Sequence, residues 1–287
     1  MSVSKVGFIG LGEMGKPMAK NLLKHHFAVA TCAHVRKQAV EELEVLGAKV
    51  MSSPKEVAAA SDVIITMVRD IIQTDEVIYG NGSWKGKGVW QGVGAGSSII
   101  VCSTLLPGYC RRLAAAGKGV RVNVLDAPVS GGISLAESGG LTFMVGGEAD
   151  VVSECQSVFE AMGKNIFYLG GSGAGQAMKL INNYMMVVNS FGTSEAIAMG
   201  LKAGLDLRRM LEIIGKSSGN SSVIQNWEML AARRKANQRQ KTGSKTIFRK
   251  DMELAVGFFK ELGVESELGN LILKMDESRL FPTGTGD

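Results

Sequence analysis

The sequence predicts an α/β protein, with a doubly wound parallel sheet in its first part and an all-helical second part. Three observations predict this. Through the first 170 residues, short β-rich runs alternate with helical stretches, the pattern of a parallel sheet covered by helices. Several of the runs, VIITMV and SIIVC among them, are apolar without interruption, as strands buried on both faces are. After Gly175 the character changes. From Gln176 to Lys202 there is no proline and only two glycines, room for one helix of about 40 Å at about 1.5 Å per residue.

The candidate strands, in order, are Lys5–Gly10, Ala28–Ala33, Ala48–Met51, Asp62–Val68, Ser98–Ser103, Val122–Asp126, Leu141–Gly146 and Asn165–Leu169. The first helix, Met14–His25, sets Met14, Met18 and Leu22 on one face at i, i+4 spacing. Beyond the long helix, Leu205–Ser217, Val223–Lys235, Asp251–Leu262 and Glu265–Leu280 each have helical periodicity. The flexible stretch GGSGAG at 170–175 marks the boundary, which gives domains of residues 1–170 and 171–287.

Composition excludes several function classes. With 287 residues, 45% hydrophobic and 21% charged, the chain buries a real core and is not disordered. No apolar run approaches the roughly 20 residues that span a bilayer, and the N-terminus lacks a signal-peptide layout. Cys32, Cys102, Cys110 and Cys155 form no CxxC pair and read as reduced, buried thiols of a cytoplasmic protein. All three histidines, His25, His26 and His34, lie in the first 34 residues. A His-based zinc site or hydrolytic triad is therefore excluded, and an acid/base group falls to Lys, Tyr, Asp or Glu. The net charge of +5 comes from one run: residues 233–250 hold eight basic and no acidic side chains, and without them the balance is −3. Such a run reads first as a solvated face and second as an anion-attracting rim. No aromatic interleaving supports nucleic-acid binding.

The first chemical motif is Gly10-x-Gly12-x-x-Gly15. Alone it is weak, but here it follows a predicted strand and opens a predicted helix, the context of a Rossmann-type dinucleotide loop. Gly10 permits the turn, Gly12 lets the backbone approach a pyrophosphate, and Gly15 lets helix and strand pack closely. The loop Gly10, Leu11, Gly12, Glu13, Met14, Gly15 is thus the expected cofactor cradle, with the amides of the helix start facing the phosphates. At the end of the second strand an NAD site presents a carboxylate to the ribose. This chain reads TCAHVRK there, and His34 and Arg36 suit a ribose phosphate instead. The reading is NADP or NAD, leaning to NADP.

Tyr-x-x-x-Lys and P-loop patterns are absent. The better catalytic candidate is GAGQAMKLINN at 173–183, where Lys179 and Asn183, at i, i+4, share one helix face. A lysine and an asparagine on a helix are usually just solvated. A desolvated lysine, however, shuttles a proton, and an amide beside it can hold a hydroxyl. The second candidate is DAPVSGG at 126–132, which follows a strand and so stands at the carboxyl end of the sheet. Ser130, Gly131 and Gly132 offer a hydroxyl and backbone amides suited to a small carboxylate. The plain alternative is a glycine turn.

Taken together, the blocks GFIGLGEMGKPMAKNL, Ser103-Thr104 followed by Pro107, DAPVSGG and GAGQAMKLINN, with FRKD at 248–251, resemble in order the β-hydroxyacid dehydrogenase family of the 3-hydroxyisobutyrate dehydrogenase type. The resemblance implies Lys179 as catalytic acid/base and Asn183 as the residue orienting substrate. It implies a substrate carboxylate bound by Ser130, Gly131 and Gly132, Lys250 near both substrate and nicotinamide, and Met67, Val68 and Thr104 along the cofactor. The implied reaction is hydride transfer between NAD(P) and a small 3-hydroxy acid or its semialdehyde, without a metal. The implied assembly is a homodimer or homotetramer, since Met185, Met186, Val187 and Val188 make the long helix apolar on more than one face. The chain departs from the family pattern at Ala33-His34, where many members carry Asn-Arg, and at Arg69, where many carry Pro. Two other readings stand beside this one: a decarboxylating dehydrogenase of the 6-phosphogluconate type, and a non-catalytic dinucleotide-binding module.

Overall fold

The computed structural model describes residues 3–33, 37–239 and 246–282. The chain divides into two compact units between Lys179 and Leu180. In the first, six parallel strands form one sheet: β1 (Lys5–Ile9), β2 (Ala28–Cys32), β3 (Lys49–Met51), β4 (Val63–Thr66), β5 (Ser98–Val101) and β6 (Asn123–Asp126). Their order is β3-β2-β1-β4-β5-β6, so the winding reverses between β1 and β4. The helices α1 (Gly15–Lys24), α2 (Lys37–Val45), α3 (Pro54–Ala59), α4 (Ile71–Tyr79) and α5 (Pro107–Gly119) connect them.

The apolar strands explain why the sheet is central. Ile65 and Ile100 enter one core with Phe8 and Leu22, whereas Ile64 and Ile99 enter the other with Val57 and Ile78. Period-two alternation thus feeds a core on each face of the sheet. Each fully buried isoleucine contributes about 1.5–3 kcal/mol. On α1, Met18 and Leu22 are fully buried, while Met14 precedes the helix as its N-cap and is half-buried.

Two expected strands leave this sheet. β7 (Val129–Ser130), β8 (Leu141–Val145) and β9 (Gly163–Tyr168) form a separate three-stranded sheet, with β7 antiparallel to β8 and β8 parallel to β9. Only ten residues separate Ser130 from Leu141, too few for the parallel crossover of a dozen or more, so the chain turns back on itself. The six-residue α6 (Gly132–Glu137) fills the turn, and α7 (Ala149–Glu154) and α8 (Gln156–Glu160) follow β8.

The long helix α9 runs over Ala174–Lys202. The second unit adds α10 (Leu207–Gly215), α11 (Ser222–Gln225), α12 (Trp227–Arg239), α13 (Ile247–Glu261) and α14 (Glu267–Ile272). Here the helix limits differ from those predicted. Val223–Lys235 is two helices broken at Asn226, whose side chain donates to the Ser222 carbonyl at 2.8 Å and so competes with the helix. The third helix starts at Ile247 rather than Asp251, because the Thr246 hydroxyl caps it by accepting from the Arg249 N–H. Glu265–Leu280 holds only α14 and a short 3₁₀ turn at Glu277–Arg279. Val187, Phe191, Ile197, Trp227 and Met252 form the core, with Phe281 packed edge-on against Trp227. Among the described residues, no helix is long and apolar enough to cross a membrane.

Candidate active site

β1 ends at Ile9 and the chain turns at Gly10, whose φ is +103°. A Cβ there would lie 2.3 Å from the Met67 carbonyl oxygen, so only glycine fits. At Gly15 a Cβ would lie 1.9 Å from the Gly10 carbonyl oxygen, which lets α1 start directly against the strand. A Cβ on Gly12 meets no atom within 4 Å; here the backbone faces open space. Met14 caps α1 without a side-chain acceptor. Lys16 N–H donates to the Gly12 carbonyl at 3.1 Å and Pro17 has no N–H, so of the first three helical residues Gly15 keeps its amide for an external anion. These features fit a dinucleotide pyrophosphate. A cavity of about 830 Å³ adjoins the loop, lined by Leu11, Gly12 and Glu13 together with Lys16, Lys20, Lys37 and Glu42. Glu42 pairs with Lys16 at 3.1 Å and Lys20 at 2.9 Å, and the two ammonium groups hold its carboxyl below its ordinary range.

From this loop a series of hydrogen bonds leads to the start of α9. The Met67 N–H donates to the Ile9 carbonyl at 2.9 Å. The next amide, Val68 N–H, donates to the Ser103 hydroxyl at 3.0 Å. The Ser103 carbonyl accepts from the side-chain amide of the fully buried Gln176 at 2.7 Å, and Gln176 Oε1 accepts from Leu105 N–H at 2.9 Å. Gln176 stands in the first turn of α9, three residues before Lys179. The Asp126 carboxylate fixes the same turn, accepting from Gly173 N–H at 2.6 Å and from Gln176 N–H at 2.8 Å. Burial pushes the Asp126 carboxyl above its usual range, while these amides pull it back. Gly175 fits the same junction, for a Cβ there would lie 2.2 Å from the Met144 carbonyl oxygen.

The turn Ser130-Gly131-Gly132 leaves β7 with φ of +130° at Gly131 and +68° at Gly132, conformations that favour glycine. Ser130 is half-buried and both glycines are exposed. The turn leads into α6, which is tied to α1 by the buried Asn21, whose side-chain amide donates to the Ala136 carbonyl at 2.7 Å. The carboxylate-binding candidates and the glycine loop are thus joined through α1.

In the second unit, Asn183 donates its side-chain amide to Asp251 Oδ2 at 2.8 Å and accepts from Asn182 at 3.2 Å. Lys250 Nζ lies 2.8 Å from Asp251 Oδ1. One buried carboxylate therefore gathers two of the predicted residues. Pattern reading missed Asp251, Asp126, Gln176 and Ser103 as site residues, although each lies inside a quoted block. Thr104 is half-buried, three residues beyond β5. His34 and Arg36, the expected ribose-phosphate readers, lie outside the described residues, as does part of the basic run 233–250.

Thiol chemistry is closed off. All four cysteines are free and buried. Burial pushes Cys32 up to about 12, aided by the Glu56 charge, and Cys155 up to about 11. Among the described residues, no group of His, Cys, Asp and Glu could hold a metal ion.

Two family models match the chain. One, described as the NAD binding domain of 6-phosphogluconate dehydrogenase, covers residues 5–170. The other, described as the NAD-binding of NADP-dependent 3-hydroxyisobutyrate dehydrogenase, covers residues 173–279. The mitochondrial 3-hydroxyisobutyrate dehydrogenase of Mus musculus is 42% identical over 219 residues, 76% of this chain and 63% of that protein. The chain thus spans less than two thirds of the length of that relative. An NAD-dependent L-serine dehydrogenase of Pseudomonas aeruginosa is 35% identical over 277 residues, 95% of this chain and 91% of that protein. The crystal structure of a 3-hydroxyisobutyrate dehydrogenase from Salmonella typhimurium superposes with a TM-score of 0.79 at 28% identity, covering 94% of this chain and 92% of that one.

Proposed function

The chain belongs to the β-hydroxyacid dehydrogenase family, of the 3-hydroxyisobutyrate dehydrogenase type, and from that premise we propose that it transfers a hydride between NAD(P) and a small 3-hydroxy acid or its semialdehyde. The loop from Gly10 to Gly15 holds the pyrophosphate, and Met67, Val68 and Thr104 flank the rest of the cofactor. When bound, the nicotinamide supplies the hydride acceptor for oxidation and the donor for reduction. Lys179, in its amine form, takes the substrate hydroxyl proton in oxidation and returns it in reduction. Ser130, Gly131, Gly132 and Lys250 hold the substrate carboxylate, and Asn183 orients the hydroxyl.

The observation that carries this reading is the hydrogen-bonded path from Ile9 through Met67, Val68 and Ser103 to Gln176. It ties the helix turn before Lys179 to the loops at the carboxyl end of the sheet, where doubly wound folds bind ligands. The substrate class is supported by two relatives named for 3-hydroxyisobutyrate and L-serine, both of which carry a hydroxyl on the carbon β to a carboxylate.

The finer parts of the reading have their own support. Residues 1–170 serve the dinucleotide and supply the Ser130 turn to the substrate, and 171–287 serve substrate and assembly. A lean to NADP rests on Lys37, which lines the cavity beside the glycine loop and makes no ion pair among the described residues, and on the absence of a carboxylate between Thr31 and Lys37. Self-association into a homodimer or homotetramer rests on Met178, Ile181, Met185 and Met199, exposed apolar side chains at helical spacing along α9. A cytoplasmic location rests on the free thiols.

The test is nicotinamide-linked turnover on a panel of 3-hydroxy acids, with NAD and with NADP, for the wild type and Lys179→Ala. Turnover that falls at least about 100-fold in the variant, with cofactor affinity kept, is the expected result. Equal turnover in both would remove Lys179 from the chemistry. One family model carries the name of 6-phosphogluconate dehydrogenase, so the panel includes that phosphorylated acid; activity confined to it would favour the decarboxylating reading.

A further inference from the structure

We propose that the cavity along the outer edge of β6 is a second ligand site, built for an elongated organic anion with a negative group at each end. The cavity measures about 820 Å³ and is lined by Arg111 and Lys118 of α5, by Arg121, by β6, and by Glu148 and Ser172. It contains no residue of the glycine loop. In the sheet, β5 and β4 stand between β6 and β1, three strand spacings or about 14 Å.

The charges are arranged for an anion. Arg111 and Arg121 make no ion pair among the described residues, and Lys118 shares the one carboxylate of the lining, Glu148, at 3.1 Å. Three cations thus face one anion. Both arginines are exposed and therefore hydrated until a ligand displaces that water.

The cations stand in two places. Arg111 and Lys118 are two turns apart on one face of α5, about 10 Å along the axis. The Arg111 guanidinium reaches the segment beside Gly173, where a Cβ would lie 3.2 Å from its Nη1. The adjacent Ser172 hydroxyl is buried and has no hydrogen-bond partner, so it can complete the shell of an anionic group held by Arg111. Lys118, in the last turn of α5, and Arg121, in the turn that leads into β6, form the other end.

The stretch between the ends suits a hydroxylated body. Asn123 N–H and Ala127 N–H both bond towards β5, so the alternate residues Val124 and Asp126 turn their peptide groups outwards. Asp126 exchanges both bonds with Gly146. Val124 presents its N–H and C=O along the cavity. A single inorganic anion would meet only one end. A sugar bisphosphate meets both and lays its hydroxyls against the strand edge.

The test is calorimetric titration of fructose 1,6-bisphosphate into the full chain, with and without saturating NADP. Inorganic phosphate is the single-anion probe. The expected result is one saturable site per chain that persists with NADP bound, with Kd raised at least about tenfold in both Arg111→Gln and Arg121→Gln. Both side chains are exposed, so the variants keep the wild-type melting temperature, which is measured alongside. Four results would overturn the proposal: no heat at about 10 mM probe, loss of binding when NADP is present, unchanged affinity in both variants, or inorganic phosphate binding as tightly as the bisphosphate.

Discussion

Gln176 donates its backbone N–H to the buried Asp126 carboxylate at 2.8 Å, across 50 residues of sequence. The other oxygen of the same carboxylate accepts from Gly173 N–H. Asp126 thus acts as a helix cap delivered by a distant strand, and it fixes the turn that precedes Lys179.

Asp126→Asn tests this cap. An amide can accept from one of the two N–H groups but must turn its own NH₂ towards the other. The expected destabilisation is about 1–3 kcal/mol, read from the urea midpoint at constant m. Turnover should fall as well, while cofactor affinity holds, because the glycine loop does not touch Asp126.

The same carboxylate predicts a pH dependence. Burial raises the Asp126 pKa in the folded state above its ordinary 3.8. Between 3.8 and the higher folded value, the folded state holds a proton that the unfolded chain has released. Stability from this group is therefore full below 3.8 and declines as pH rises through the folded value. Subtracting the Asp126→Asn unfolding free energy from that of wild type should leave a curve that falls with pH. A difference that rises instead would contradict the raised pKa.

Two glycines of the loop separate folding from binding. Gly10→Ala forces a Cβ to within 2.3 Å of the Met67 carbonyl at a φ of +103°, and a melting temperature several degrees lower is expected. Gly12→Ala meets no atom within 4 Å, so its melting temperature should match wild type while cofactor Kd rises about tenfold or more. Equal cofactor affinity in Gly12→Ala would move the pyrophosphate away from this loop.

Asp251 sets a coupling between Asn183 and Lys250. Asp251→Asn keeps an acceptor for Asn183 but loses the ion pair; Asp251→Ala loses both. Expected kcat/KM falls in the order wild type, Asn, Ala, with the alanine variant also destabilised by about 2–4 kcal/mol. In a double-mutant cycle, Lys250→Ala should cost less in the Asp251→Ala background than in wild type. Strict additivity would show that the pair is not one unit.

What could be read in advance follows from the range of the interactions. The strands VIIT and SIIV were legible because burial on both faces leaves an unbroken apolar run. The glycine loop was legible because its spacing is local and its strand–helix context is short. β7 has only two residues and therefore no period to detect. The start of α13 depends on one threonine cap, and the break at Asn226 on one side-chain bond. In the site, Lys179, Asn183 and the Ser130 turn stood out by type and place. Asp126 and Asp251 did not, because the amides that donate to them lie 47 to 68 residues away, and a buried carboxylate is recognised only by what it accepts.

The long helix has a consequence for recombination. Lys179 closes the first compact unit and Asn183 follows within the second, yet both belong to the 29 residues of α9. A chimaera joined between residues 170 and 173, where the two family models part, would inherit Lys179, the proposed proton-transfer group, and the Asn183 amide from one parent. A joint at 179–180 would take them from different parents, and the Asp126 cap would then hold a helix whose later turns evolved with another protein's Asp251. With the roles proposed for Lys179 and Asn183, the helix would make acid/base and substrate orientation a single heritable trait, although the molecule itself is built in two pieces.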